Sequence, residues 1–204
     1  MHELEEEGVA VIQARLAERL DHSAPAVSEM IRRLRDEGYI VAEGRSLHLT
    51  PEGRALAESV VRKHRLAERL LTDVIGLSWE KSHVEACRWE HVISDEVEAR
   101  LVDLLGHPRT CPHGNPIPGA EPVDYRETVL SEAVSGDRVR LRRVTEQVEI
   151  DTESLNYLCD SGFVPGAAAT VASRAPDGTL ILEVDGHSLA VGPGLAHQLF
   201  VSTP

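Results

Sequence analysis

The chain has 204 residues, 42% of them hydrophobic and only 3% aromatic, and its 21 Lys and Arg against 34 Asp and Glu leave a net charge of −13. That balance excludes nonspecific nucleic-acid binding over a general basic surface, which works by displacing counterions from phosphates, but leaves room for one local basic face. The length suits two or three small domains, and the acidic start, Met1-His2-Glu3-Leu4, lacks the apolar run of a signal peptide or membrane span.

Residues 12–20 place Ile12, Leu16 and Leu20 four apart, as on one helix face. Asp21-His22-Ser23 interrupts the pattern; Ser23 is a natural N-cap, with Pro25 tolerated in the first turn of a second helix. That helix repeats Val27, Met30, Ile31 and Leu34, and Gly38 can close it. Tyr39-Ile40-Val41, a turn through Glu43-Gly44-Arg45, and Leu47-His48-Leu49 read as a two-stranded ribbon. Two helices about a short turn followed by a ribbon make a winged helix-turn-helix. Residues 10–35 also carry five arginines against three acids. Pro25, Ala26, Ser28 and Glu29 are expected on the recognition face, with Arg15, Arg32, Arg33 and Arg35 as phosphate contacts.

Thr50-Pro51-Glu52 opens a long helix predicted to run to about Val74 and end near Gly76. A second helix starts near Ser78 and carries Trp79, Val84, Cys87 and Trp89; a third begins at Ser94, followed by early acids. Helices this apolar in a small domain call for a partner surface, so a homodimer is expected. Gly106 to Pro122 holds five prolines and three glycines and reads as a loop or linker. Beyond it, Val139–Val148, Ala169–Ala172, Thr179–Val184, Ser188–Val191 and Gln198–Val201 read as short strands of a small β-barrel, with turns at Pro176-Asp177-Gly178 and Asp185-Gly186.

His83, Cys87, Glu90 and His91 fall on one face of the second of these helices, and Cys, Glu and His together suit a divalent transition metal. His83 and His91 lie eight residues apart, about 12 Å along a helix, whereas a metal–nitrogen bond is about 2 Å. Two neighbouring sites are therefore expected: Cys87 with Glu90 and His91, and His83 with ligands from elsewhere. His64 and Glu68, four apart on the long helix, can supply the second. The other histidines, His113 among them, read as surface or packing residues. Cys111 and Cys159 read as incidental, and three scattered cysteines fit a reducing cytoplasm rather than a disulfide framework.

The segments His64-Arg65-Leu66-Ala67-Glu68-Arg69-Leu70-Leu71, His83-Val84-Glu85-Ala86-Cys87-Arg88-Trp89-Glu90-His91 and Gly114-Asn115-Pro116-Ile117-Pro118-Gly119 closely resemble the diphtheria toxin repressor family of iron-dependent regulators. The resemblance covers essentially the whole chain and is strongest from Arg62 to Gly119. It implies a mostly α fold with β structure in three parts: a winged helix-turn-helix DNA-binding domain (1–58), a helical metal-binding and dimerisation domain (59–125), and an SH3-like β-barrel (126–204). It implies that Cys87, Glu90 and His91 match the primary, activating metal site. His64, Glu68 and His83 match the ancillary site, to which the C-terminal domain adds Glu146 and Glu149. The second of these is usually glutamine in the family; glutamate keeps an oxygen donor and adds charge.

The expected function is therefore that of a cytoplasmic repressor, not an enzyme, controlling iron homeostasis genes. As a homodimer it would bind double-stranded operator DNA when loaded with a divalent transition metal at two sites per subunit. The ion is expected to be Fe2+, with Mn2+, Co2+, Ni2+ or Zn2+ as surrogates; cysteine at position 87 resembles the iron-responsive branch. Two other classes stand beside it: a metalloenzyme, in which Glu90 beside His91 polarises a metal-bound water, and a winged-helix regulator whose metals are only structural. Two departures are visible. The family's longer first helix contributes a methionine ligand, whereas this chain starts near the end of that helix and its other methionine, Met30, lies elsewhere; a misassigned start codon would account for this. Glu29 stands where the family usually has glutamine, which predicts an altered operator preference.

Overall fold

A computed structural model describes residues 1–203. They fall into two units, Met1–Val61 and Arg62–Pro204. The first is built on α1 (His2–Glu6), α2 (Gln13–Leu20) and α3 (Ala24–Asp36), followed by the hairpin of β1 (Ile40–Glu43) and β2 (Ser46–Leu49). Of the apolar stripes the periodicity predicts, Leu16 of α2 and Val27 of α3 meet Leu4, Val11 and Leu47 in the core with Ile31 packed against them, whereas Leu20 and Met30 are exposed. Asp21 closes α2 in the left-handed region, and the Ser23 hydroxyl accepts from the Ala26 amide at 3.4 Å to cap α3. The hairpin pairs Ile40 with Leu49 and Glu43 with Ser46, so Gly44-Arg45 is its two-residue turn. This is the winged helix-turn-helix arrangement. Gly53 sits so close to Tyr39 that a Cβ would lie 1.9 Å from the Tyr39 carbonyl oxygen.

Thr50 receives the Gly53 amide on its hydroxyl at 3.0 Å and so caps α4 (Pro51–Arg69), which carries the chain from the first unit into the second. The long helix expected to reach Val74 instead changes character: Leu70–Ile75 is a π-helical turn, stopped by Gly76 in the left-handed region. Wide turns of this kind recur next to functional sites because they re-aim the side chains around them. Helix α5 (Trp79–Trp89) and α6 (Asp95–Leu104) follow. The end of α5 at Trp89 corrects one expectation. Glu90 is its C-cap and His91 lies in the turn beyond, so His91 does not share the helix face of His83 and Cys87.

The Pro/Gly-rich stretch from Gly106 is a loop, as expected, but a packed one: Cys111, His113, Asn115 and Ile117 are all buried. Three arginines on one side of α4 hold its carbonyls. Arg62 donates to Pro118 at 2.5 Å, Arg65 to Pro116, and Arg69 to Thr110 at 2.8 Å. The chain then forms a six-stranded antiparallel sheet of β3 (Thr128–Val129), β4 (Arg138–Val144), β5 (Ala168–Arg174), β6 (Leu180–Val184), β7 (His187–Val191) and β8 (Leu199–Ser202), in the order β3-β8-β4-β5-β6-β7. The strand expected to reach Val148 ends at Val144, and α7 (Glu146–Glu149) replaces its last residues. Helix α8 (Thr152–Asp160) was not expected from the sequence; Asp151 caps it through the Glu153 and Ser154 amides. The sheet core gathers Leu141, Val144, Leu155, Phe163, Leu182 and Leu199, with the short α9 (Pro193–Ala196) at its margin. Among the described residues no helix is long and apolar enough to cross a membrane.

Candidate metal centre

Helical spacing explains the first pair of donors. His64 and Glu68 lie four apart on α4, and His83 and Cys87 four apart on α5, so each helix presents two side chains on one face. Glu149 arrives from α7 on the sheet side and is buried with them. The His64 Nε2 lies 3.2 Å from the Glu68 Oε1 and 3.2 Å from the His83 Nδ1. The His83 Nδ1 lies 3.3 Å from the Glu68 Oε1 and 2.7 Å from the Glu149 Oε2. All four ligand atoms fall within 4.8 Å of one another.

These spacings fit a metal. Bonds of about 2.0–2.1 Å in tetrahedral geometry separate neighbouring donors by about 3.3 Å. Two imidazole nitrogens face each other, and two carboxylates converge on the same point. Glu68 is fully buried and its Oε2 has no hydrogen-bond partner, an orphan that costs free energy unless a cation satisfies it. His64, Glu68, His83 and Glu149 would hold the ion, and two histidines with two carboxylates suit a borderline or hard divalent cation.

Without a metal, protons hold the cluster together. Burial pulls the His64 imidazole down, but its contacts with Cys87, Glu68 and Glu90 overcome this and push it up to about 12. The same opposition of burial against Cys87, Glu149 and Glu68 raises His83. Burial pushes the Glu68 carboxyl up, yet His113 and His64 outweigh it and hold the group well below the usual carboxylate range. Cys87 also resists burial: His64 and His83 bring its thiol down to about 7.

The expected primary trio is arranged differently. The Cys87 sulfur lies 3.6 Å from the His83 Nε2 and groups with His64 and His83. Glu90 turns one oxygen to the His64 Nδ1 at 2.7 Å and the other to the His91 Nε2 at 3.2 Å. His91 is 69% exposed at its side chain. The structure thus brings Glu90 to the His64 cluster but does not gather Cys87, Glu90 and His91 around one point. Glu146 opens α7 and lies outside the ligand clusters among the described residues, whereas Glu149 is inside one.

Sequence reasoning missed three residues here. His113 is fully buried, its Nδ1 3.1 Å from the Glu68 Oε1, and burial is outweighed by Glu149 and Glu68, so its pKa is raised. Cys111 lies in the same cluster. Asn115 donates its amide to the Glu149 Oε1 at 2.5 Å and to the Val144 carbonyl at 2.9 Å. The cue that could have found them is Cys-Pro-His-Gly-Asn itself: donor residues in a segment too rich in proline and glycine to be an ordinary solvated loop.

Three family models tile the chain. Residues 1–47 match an iron-dependent repressor N-terminal DNA-binding domain, 50–119 an iron-dependent repressor metal-binding and dimerisation domain, and 128–203 a FeoA domain. The curated iron-dependent repressor IdeR of Mycobacterium leprae is 46% identical over 98% of this chain and 93% of its own length. The chain belongs to the iron-dependent repressor family. The diphtheria toxin repressor of Corynebacterium diphtheriae is 44% identical over 98% of the chain and 92% of its own length. A manganese-dependent transcriptional repressor solved in complex with manganese superposes with a TM-score of 0.84 at 31% identity, covering 96% of this chain and 92% of that one. The mostly α fold with a C-terminal sheet is thus the family's: the first unit holds the DNA-binding match and the sheet is its FeoA, SH3-like part.

The DNA-facing candidates all sit in the first unit. Pro25, Ala26, Ser28, Glu29, Arg32, Arg33 and Arg35 lie on α3, and Arg15 on α2; all eight are exposed. Several arginines are already engaged: Arg15 with Glu18 at 2.8 Å, Arg32 with Glu29 at 2.6 Å, Arg33 with Glu37 at 3.9 Å. Met30 lies on the same helix, in the DNA-binding unit.

Proposed function

We propose that this chain is a cytoplasmic, metal-dependent transcriptional repressor that binds operator DNA as a homodimer when loaded with a divalent ion. The convergence of His64, Glu68, His83 and Glu149, from α4, α5 and α7, with contacts of 2.7–3.3 Å centred on His83 and all ligand atoms within 4.8 Å of one another, carries the reading. An ion held there supplies positive charge in place of protons and ties three elements of the second unit together. Cys87, Glu90 and His91 are assigned to the second, activating site of the same chain. The ion biases the DNA-competent state only by binding that state more tightly.

Fe2+ is favoured as the physiological ion: iron stands in the name of the Mycobacterium leprae relative and of the matching family models, and Cys87 provides a softer donor than a carboxylate. The solved relative's manganese makes Mn2+ the first competitor. Exposed residues of α3, Pro25, Ala26, Ser28 and Glu29, are assigned to base edges and Arg15, Arg32, Arg33 and Arg35 to phosphates.

The test is selection of duplexes from a random pool with Fe2+ under anaerobic conditions, followed by anisotropy titration. Retention of the selected duplex is expected with metal and lost with chelator. Cys87→Ala should remove the metal response while leaving the fold intact by circular dichroism. Equal DNA affinity in chelator and in metal overturns the reading.

A further inference from the structure

Strand β4 does not keep a single alternation. Its register against β8 shifts between Leu141 and Arg143, and an irregularity of this kind changes which face the residues beyond it address. Val139 and Leu141 lie in the sheet core, and after the shift Val144 joins them there in place of Arg143. Arg143 is turned instead toward Asn115, and it is still only 5% exposed. The other arginines of the strand, Arg138, Arg140 and Arg142, are exposed or half-buried.

A buried guanidinium is costly unless its surroundings answer its charge and its donors. The Arg143 Nε donates to the Glu127 Oε1 at 2.7 Å, its Cζ lies 3.6 Å from the centroid of the Phe200 ring, and its Nη1 faces the Asn115 Oδ1 at 3.5 Å. The last contact is long for a hydrogen bond, but in a buried setting the positive charge still acts strongly on the amide dipole. Arginine carries donors only, so Asn115 can meet it only with its oxygen. The NH2 end is then directed the other way, to the Val144 carbonyl at 2.9 Å and the Glu149 Oε1 at 2.5 Å. With Oε1 engaged, Glu149 presents Oε2 to the His83 Nδ1 at 2.7 Å.

We propose that Arg143 is a positioning residue of the metal centre, acting through Asn115 to fix and polarise the amide that aims Glu149 at the ion. The inference rests on the reading of His64, Glu68, His83 and Glu149 as a metal centre. It adds a determinant from within the sheet: a cation on β4 governs a ligand on α7. Stability alone is a weak reason for such a residue, since a buried ion pair is on average no more stabilising than apolar side chains of its size.

The test uses the full chain. Arg143→Lys keeps a positive charge beside Glu127 and Phe200, but one ammonium does not reproduce the planar fork that serves Glu127 and Asn115 together. Arg143→Met removes both contacts and fills the volume. Each is expected to lower Mn2+ affinity about tenfold by calorimetry, the scale of losing a partner that orients a ligand. Placed in an Asn115→Ala chain, either change is expected to cost no further affinity, because the relay is already cut. If Arg143→Met loses its circular dichroism, Arg143→Lys carries the same cycle. A second readout needs no metal: nuclear magnetic resonance should show the Asn115 side-chain NH2 protected from solvent exchange in the wild type and exchanging freely in Arg143→Lys at an unchanged thermal midpoint. Wild-type Mn2+ affinity in Arg143→Lys, or an undiminished loss on top of Asn115→Ala, overturns the relay and leaves the metal centre standing. A wild-type chain that binds no Mn2+ overturns both.

Discussion

The Asn115 side-chain amide donates to the Glu149 Oε1 at 2.5 Å, while the Glu149 Oε2 faces the His83 Nδ1 at 2.7 Å. A residue of the Gly114–Gly119 motif thereby aims a carboxylate of the sheet-side helix α7 at a histidine of α5. Asn115 touches no ligand atom except through Glu149, so it is a positioning residue.

Asn115→Ala is expected to lower divalent-metal affinity by about 10–100-fold, the usual effect of losing a partner that orients a ligand. Glu149→Gln should lower it too, by removing charge. Calorimetric Mn2+ titrations on variants of unchanged circular dichroism decide the matter; wild-type affinity in Asn115→Ala would show that Glu149 is oriented by something else.

Metal affinity should rise with pH. Cys87 and the surrounding carboxylates raise both His64 and His83, and the hydrogen bond between the His64 Nε2 and the His83 Nδ1 at 3.2 Å places a proton on one of the two facing nitrogens in the metal-free chain. An ion that takes both nitrogens must expel that proton, so its apparent constant rises with pH by about a factor of ten per unit for each proton released. In the metal-free chain the sign is opposite. Both groups are raised above the ordinary histidine value, so their stabilising contribution is complete below about pH 6.5 and is lost as pH climbs through the folded-state values. Titrations in buffers of different ionisation enthalpy count the protons released, and a release near zero contradicts the assignment.

Gly114→Ala should be among the most damaging single-methyl changes in the molecule. It puts a Cβ against the Arg142 backbone at 1.8 Å and asks alanine to hold φ +91°. Strain of this kind costs about 1–3 kcal/mol from the backbone alone, before the clash. Thermal unfolding should show a clear loss of stability together with loss of metal binding; a wild-type midpoint would mean that the loop is not clamped.

On α3, Glu29 occupies the Arg32 guanidinium at 2.6 and 2.7 Å. Glu29→Gln should free that arginine for phosphate and steepen the salt dependence of DNA binding by about 0.9 in log–log slope, one contact's worth. It should also change the preferred base opposite position 29. Anisotropy over a salt series, with duplexes varied at single positions, tests both; an unchanged slope and an unchanged preference would show that Glu29 and Arg32 face solvent.

Local patterns carried much of this protein. The spacing of Leu16, Val27 and Leu47 with the Ser23 cap, and the Gly44 turn, are read within a few residues of chain, and they specify the winged helix directly. His64 with Glu68, and His83 with Cys87, are legible for the same reason: four-residue spacing on a helix is a local property. What the sequence could not decide is which of these faces meet. The end of α5 at Trp89, one residue before Glu90, separates His91 from Cys87 with no proline or glycine in the sequence to announce it. Conversion of a strand end into α7 brings Glu149 inward. The loop around Gly114 turns Cys111 and His113, unremarkable in a proline-rich stretch, into buried donors beside Glu68. The sequence by itself determined the helical donor pairs His64 with Glu68 and His83 with Cys87, and the helices that bear them. Tertiary structure alone decided the assembly of the centre, because carboxylates and imidazoles interact strongly only where burial lowers the dielectric and distant segments close to about 3 Å.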